Sequence, residues 1–117
     1  MRRATSGGVK TPPSVELAVR EAVSCLCSNL DVPVDLRRLA ARAALSPLHF
    51  HRVFRGLMGE TANALHRRLR LERAALALRS TRRAVTDLAF DAGYETHESF
   101  TRAFTEAYGH APSAFRR

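Results

Sequence analysis

The sequence predicts an all-α fold of two helix-turn-helix subdomains joined by a long linker helix, and three observations predict it. Apolar residues recur at helical spacing in segment after segment, with almost no strand-type alternation. The chain also repeats itself: Leu39-Ala40, Ala43, Phe50, Arg52, Phe54, Gly59, Ala64, Leu65 and Arg67 return as Leu88-Ala89, Ala92, Phe100, Arg102, Phe104, Gly109, Ala114, Phe115 and Arg117. The offset is 49 residues across the first helix of each copy and 50 afterwards, so one extra residue sits in the second copy's turn. Each copy is therefore a helix, a tight turn and a helix.

The first helix is expected from Ser14, as its N-cap, to about Ser28, with Val15, Ala18, Val19, Ala22, Val23 and Leu26 on one face. Residues 1–13 before it read as a disordered, weakly basic arm with no apolar run, neither a signal peptide nor a span. Cys25 and Cys27 lie two apart, roughly 200° around a helix axis, and so share neither a metal nor a disulfide. A short helix from Asp35 to Ala43 follows, with Leu36, Leu39, Ala40 and Ala43 as its stripe. After the turn Ala44-Leu45-Ser46, Ser46 caps a helix over Pro47–Met58 with Pro47 at its first position, where a missing N–H does no harm.

That helix divides into two faces. Phe50, Val53, Phe54 and Leu57 follow the buried i, i+3, i+4, i+7 pattern, while Leu48, His51, Arg52 and Arg55 point away. On the outward face, Leu48 suits a thymine methyl, His51 a base edge, Arg52 the O6/N7 pair of guanine and Arg55 a phosphate. An ordinary solvated face is the plain alternative. A helix from about Thr61 to Ser80 carries Leu65, Leu69, Leu71, Ala75, Leu76 and Leu78, with Arg67, Arg68, Arg70 and Arg73 between them for phosphates, or for Glu72 and solvent. Its length, about 30 Å, approaches the roughly 34 Å between successive major-groove faces of B-DNA.

The second copy opens with Val85, Leu88, Ala89 and Ala92 and turns at Gly93-Tyr94. Thr96 caps a helix that buries Phe100, Ala103, Phe104 and Ala107 and exposes His97, Glu98, Thr101 and Arg102, with Ser99 on the border. Gly109 stops it, and Pro112 to Phe115 begins a closing turn that returns Phe115 to the lobe. The domain organisation read from this is an arm (1–13), a first lobe (14–59), a linker helix (60–80) and a second lobe (81–117).

Charge narrows the partner. There are 19 basic and 11 acidic residues in 117, a net +8, and all but one of the basic residues are arginine. That balance favours a polyanion, and arginine's planar fork matches phosphate and guanine, although the codon bias of a GC-rich genome also raises arginine. The cations are spread over most helices rather than gathered on one amphipathic segment, which argues against a membrane surface.

The segments LAARAALSPLHFHRVFRGLMG, RRLRLERAA and DLAFDAGYETHESFTRAFTEAYGHAPSAFRR resemble the AraC/XylS family of bacterial transcription regulators over residues 14–117. Gly93-Tyr94, Phe100, Arg102, Phe104, Gly109, Pro112 and Arg116 stand in that family's register. The resemblance implies homeodomain-like lobes of three helices, each placing a recognition helix in the major groove. The base-reading positions it implies are Leu48, His51 and Arg52 in the first lobe and His97, Glu98, Ser99 and Arg102 in the second, with Arg55 and Thr101 beside them. With no export signal and two heads in one chain, the expectation is a cytoplasmic regulator bound to double-stranded DNA as a monomer, with no cofactor. Ala62 stands where many relatives have proline, and Glu98 sets an acid before a polyanion: it either accepts from cytosine N4 or weakens the second head. The chain stops where the most similar members continue into a small-molecule-binding domain, so the expectation is either a standalone short regulator or a fragment of a longer one.

No catalytic reading competes: there is no HExxH, Cys-His cluster or glycine-rich phosphate loop. The serious rival is an accessory helical protein whose basic face meets RNA polymerase or another regulator.

Overall fold

A computed structural model of the chain describes residues 13–117. Among them seven helices run in order: α1 (Pro13–Ser28), α2 (Leu36–Arg42), α3 (Pro47–Met58), α4 (Ala62–Ser80), α5 (Val85–Asp91), α6 (His97–Tyr108) and α7 (Pro112–Arg116). No strand occurs among the described residues, and none of their helices is long and apolar enough to cross a membrane. The arm expected over residues 1–13 lies outside the described residues except for Pro13, which opens α1. Ser14 consequently sits inside the first turn rather than capping it.

The chain divides into two units. The first contains α1, α2 and α3 and runs to Ala62, omitting Asn29–Pro33. The second comprises Asn29–Pro33 and Asn63–Arg117. In the first unit, α1 buries Val19, Ala22 and Leu26, α2 buries Leu39 and Ala40, and α3 buries Phe50 and Phe54. The two rings meet at 5.8 Å between centroids. Cys25 of α1 is half-buried and Cys27 exposed, and neither takes part in a disulfide. A shallow cleft lined by Ala18, Glu21, Ala22, Cys25, Leu39 and Arg42 holds about 10 Å³, room for roughly one water.

The second core joins Leu71, Ala74, Ala75 and Leu78 of α4 to Leu88 and Ala89 of α5, Ala92 just after it, and Phe100 and Phe104 of α6. Phe115 of α7 stands edge-on to Phe104 at 5.2 Å, and the Arg79 guanidinium covers the outer side of Phe115 at 5.4 Å. Burying a side chain of this size stabilises by about 1.5–3 kcal/mol, so the paired phenylalanines of α3 and α6 dominate two otherwise small cores. The C-terminal half of α4 is thus a wall of the second core as well as a connection.

Both lobes build their turn the same way. After α2, Leu45 N–H donates to Ala40 O (2.9 Å) and Ala44 N–H to Ala41 O (3.0 Å). After α5, Tyr94 N–H donates to Ala89 O (3.0 Å) and Gly93 N–H to Phe90 O (2.9 Å). These paired bonds satisfy the last carbonyls of each helix and require a left-handed residue next to the C-cap. Gly93 fills that place at φ +89° and Ala44 at φ +59°. The extra residue of the second copy is Glu95, inserted between this bonded turn and the N-cap Thr96.

Candidate nucleic-acid interface

Each turn delivers the chain to a capped helix. Ser46 Oγ accepts from His49 N–H (3.2 Å) and Thr96 Oγ1 from Ser99 N–H (3.0 Å), satisfying orphan donors at the starts of α3 and α6. Phe50 and Phe54 on α3, and Phe100 and Phe104 on α6, are fully buried. That burial fixes how each helix is rotated and which residues it shows to solvent.

On α3, Leu48 is 60% exposed and Arg52 and Arg55 are exposed, while His51, expected to point fully outward, is half-buried. Neither arginine makes an ion pair or side-chain hydrogen bond among the described residues. His49 is exposed as well. It lies in the first turn of α3, two residues after Pro47. Leu57, expected in the buried stripe, is 40% exposed, and its repeat partner Ala107 is exposed too. Both sit in the last turn, where the helix runs beyond the core that covers its middle.

On α6, His97, Glu98 and Arg102 are exposed, as expected, and are without partners among the described residues. Two expected positions differ. Thr101 is half-buried, and its Oγ1 is buried without a hydrogen-bond partner. It therefore turns toward the lobe rather than outward. Ser99 Oγ is held in the cap, donating to Thr96 O (3.0 Å) and accepting from Thr96 Oγ1 (2.9 Å). Thr105, the repeat partner of Arg55, donates its hydroxyl back to Thr101 O (2.7 Å).

The arginines of α4 have mixed roles. Arg68 pairs with Glu72 at 3.0 Å on an exposed face, one of the two alternatives left open for these arginines. Arg70 Nε–H donates to Leu30 O at 2.7 Å. Arg73 donates to Asp31 Oδ1 (2.8 Å) and to Asp91 O (2.9 Å). Their guanidiniums are structural fasteners to residues far away in sequence, and local charge patterning gave no signal for it. Beside them His66, buried to 3% exposure, donates from Nε2 to Asn29 O at 3.3 Å. Burial, together with the charges of Arg70 and Arg73, holds its imidazole below the ordinary pKa even though the bond to Asn29 pulls the other way. Tyr94, in the second turn, packs edge-on against Phe100 at 5.6 Å, and burial pushes its phenol above the usual range. No cluster of three or more His, Cys, Asp or Glu suited to a metal occurs among the described residues.

These features match known proteins. A family described as "Helix-turn-helix domain" matches residues 39–117. The right origin-binding protein of Escherichia coli K12 is 34% identical over 99 residues, covering 85% of this chain and 34% of that protein; the chain thus spans about a third of such relatives. The regulatory protein SoxS of the same organism is 29% identical over 98 residues, covering 84% of this chain and 92% of SoxS. Among solved structures, the DNA-binding domain of AdpA, a global transcriptional factor determined in complex with a target DNA, is similar with a TM-score of 0.75 at 27% identity, over 85% of this chain and 89% of that one. A regulator from Chromobacterium violaceum described as containing an AraC-type DNA-binding domain has a TM-score of 0.78 at 21% identity, over 90% and 94% of the two chains, a likeness of fold.

Proposed function

The chain belongs to the AraC/XylS family of helix-turn-helix regulators, and on that premise we propose that it is a sequence-specific DNA-binding regulator of transcription. The observation that carries this reading is the repeated geometry of α3 and α6. Each follows a bonded turn, is rotated by two fully buried phenylalanines and shows an exposed arginine, Arg52 or Arg102, without a partner among the described residues, from the same helical position. A protruding helix with a free guanidinium near its middle suits the major groove, where arginine forks onto guanine O6 and N7.

In this reading Leu48, His51 and Arg52 of α3 meet base edges and Arg55 a phosphate, while His97, Glu98 and Arg102 of α6 meet a second segment. Ser99 and Thr101 take supporting places, one in the cap and one against the core. Because one chain carries two heads, it works on double-stranded DNA as a monomer, in the cytoplasm.

The test is selection of bound duplexes from a random library, followed by affinity measurements on the winner at several salt concentrations. A bipartite motif with clear preference over scrambled DNA is expected. Steep salt dependence with no motif would leave only a basic domain without sequence selectivity.

A further inference from the structure

α3 and α6 are built alike and armed differently. Counting from their caps, Leu48 and Glu98 occupy the same place, as do Arg52 and Arg102, Arg55 and Thr105, and Gly56 and Glu106. The face of α3 therefore carries two exposed arginines and no acid, whereas α6 carries one arginine and two acids. Glu98 lies one turn before Arg102, a spacing at which opposite charges can pair. The two stay apart, and neither has another partner among the described residues. With the Ser99 hydroxyl held in the cap and the Thr101 hydroxyl buried, α6 is left with His97, Glu98 and Arg102 to meet a groove through side chains. Glu98 alone of these is purely an acceptor.

A carboxylate brought to the major groove meets mostly acceptors. Guanine offers O6 and N7, and thymine O4; adenine sets N7 beside its N6 amino group. Cytosine alone shows an amino donor with no acceptor of its own next to it. A carboxylate at the start of a groove-facing helix is thus satisfied opposite cytosine, can accept from N6 of adenine only beside the repelling N7, and is left unpaired opposite guanine and thymine, a large penalty for a desolvated charge. We propose that Glu98 makes the segment read by α6 selective for cytosine at one position, so that the two half-sites differ although the two lobes are repeats. This rests on the DNA-reading function proposed above.

The experiment is library selection and competition binding with the full chain, Glu98→Gln and Glu98→Leu, with circular dichroism to confirm that each variant is folded. The unaltered chain is expected to fix cytosine at one position of one half-site, by about fivefold or more over the other bases. Glu98→Gln is expected to move that preference to adenine, whose N6 and N7 suit a glutamine amide, and Glu98→Leu to move it toward thymine. The other half-site should stay unchanged in both variants. Equal tightening on every sequence in both variants would show that Glu98 only repels phosphate, and an unaltered preference would show that it does not face the bases; either overturns the assignment while leaving the two-headed reader intact. An unaltered chain that selects no motif at all would overturn the DNA-reading function, and this proposal with it.

Discussion

Arg52 differs from Arg70 and Arg73 in having no partner among the described residues. The latter two spend their donors on Leu30 O, Asp31 and Asp91 O, while Arg52 stands exposed on α3. Arg52→Ala is expected to weaken binding to the preferred duplex by about 1–3 kcal/mol and to relax preference at one base pair. Affinities for duplexes exchanged at each position check this, and equal weakening on all of them would reassign Arg52 to phosphate. Ala44 makes a separate case. It holds the left-handed position that its counterpart Gly93 fills without strain, so Ala44→Gly should raise stability by about 1 kcal/mol, read as a higher urea midpoint. At this scale, what could be read in advance followed local chemistry. Ser46 and Thr96 cap because a hydroxyl before a helix reaches the N–H three residues on, and Phe50, Phe54, Phe100 and Phe104 are buried because their spacing defines a single face. Leu57, Ala107 and Thr101 escaped the same reasoning, because burial at a helix end or on a border depends on which other helix covers it.

α4 shows what periodicity leaves out. Its apolar residues lie on several faces, and only the fold shows that Leu71, Ala74, Ala75 and Leu78 complete the second core. A Cβ added to Gly93 would stand 2.5 Å from Nη1 of Arg70, so Gly93→Ala must shift that guanidinium, whose Nε holds Leu30 O, as well as strain the turn. A Cβ on Gly59 or Gly109, at φ +78° in both, would meet nothing within 4 Å. Gly93→Ala should therefore destabilise by clearly more than Gly109→Ala, whose cost is about 1–2 kcal/mol for the left-handed backbone alone; paired urea melts decide it. His66 gives α4 a pH dependence. Its imidazole is held below the ordinary 6.5, so the unfolded chain takes a proton that the folded one refuses. The stability tied to the neutral form is full above about pH 6.5 and declines as the pH falls through the interval down to the folded-state pKa. The urea midpoint should drop between pH 7.5 and 5, and His66→Gln should flatten that drop; an equal drop in the variant would assign it to other groups.

At the scale of the molecule, the duplication and the net charge of +8 were both plain in the sequence, but neither says which cations meet DNA. Of the arginines on α4, Arg70 and Arg73 are committed to carbonyls and a carboxylate within the protein, and Arg116 likewise donates to Leu78 O (3.1 Å) and Arg83 O (2.5 Å). A charge total therefore overstates the number of phosphates the chain can neutralise. Each phosphate contact releases condensed counterions and adds about 0.9 to the slope of log affinity against log salt on duplex DNA. On the function proposed above, Arg55, exposed on α3 and without a side-chain partner among the described residues, makes one such contact, whereas Arg20, exposed on α1, lies on neither α3 nor α6. Arg55→Ala should weaken binding to every sequence alike, leave the base preference intact and lower the slope by about 1, while Arg20→Ala should leave the slope where it was. Titrations of the selected duplex between about 50 and 200 mM salt, a range over which several phosphate contacts cost orders of magnitude in affinity, separate the two. If both variants lose the same slope, the attraction is spread over the whole basic surface, and the recognition helices lose their claim to be the places where this chain grips DNA.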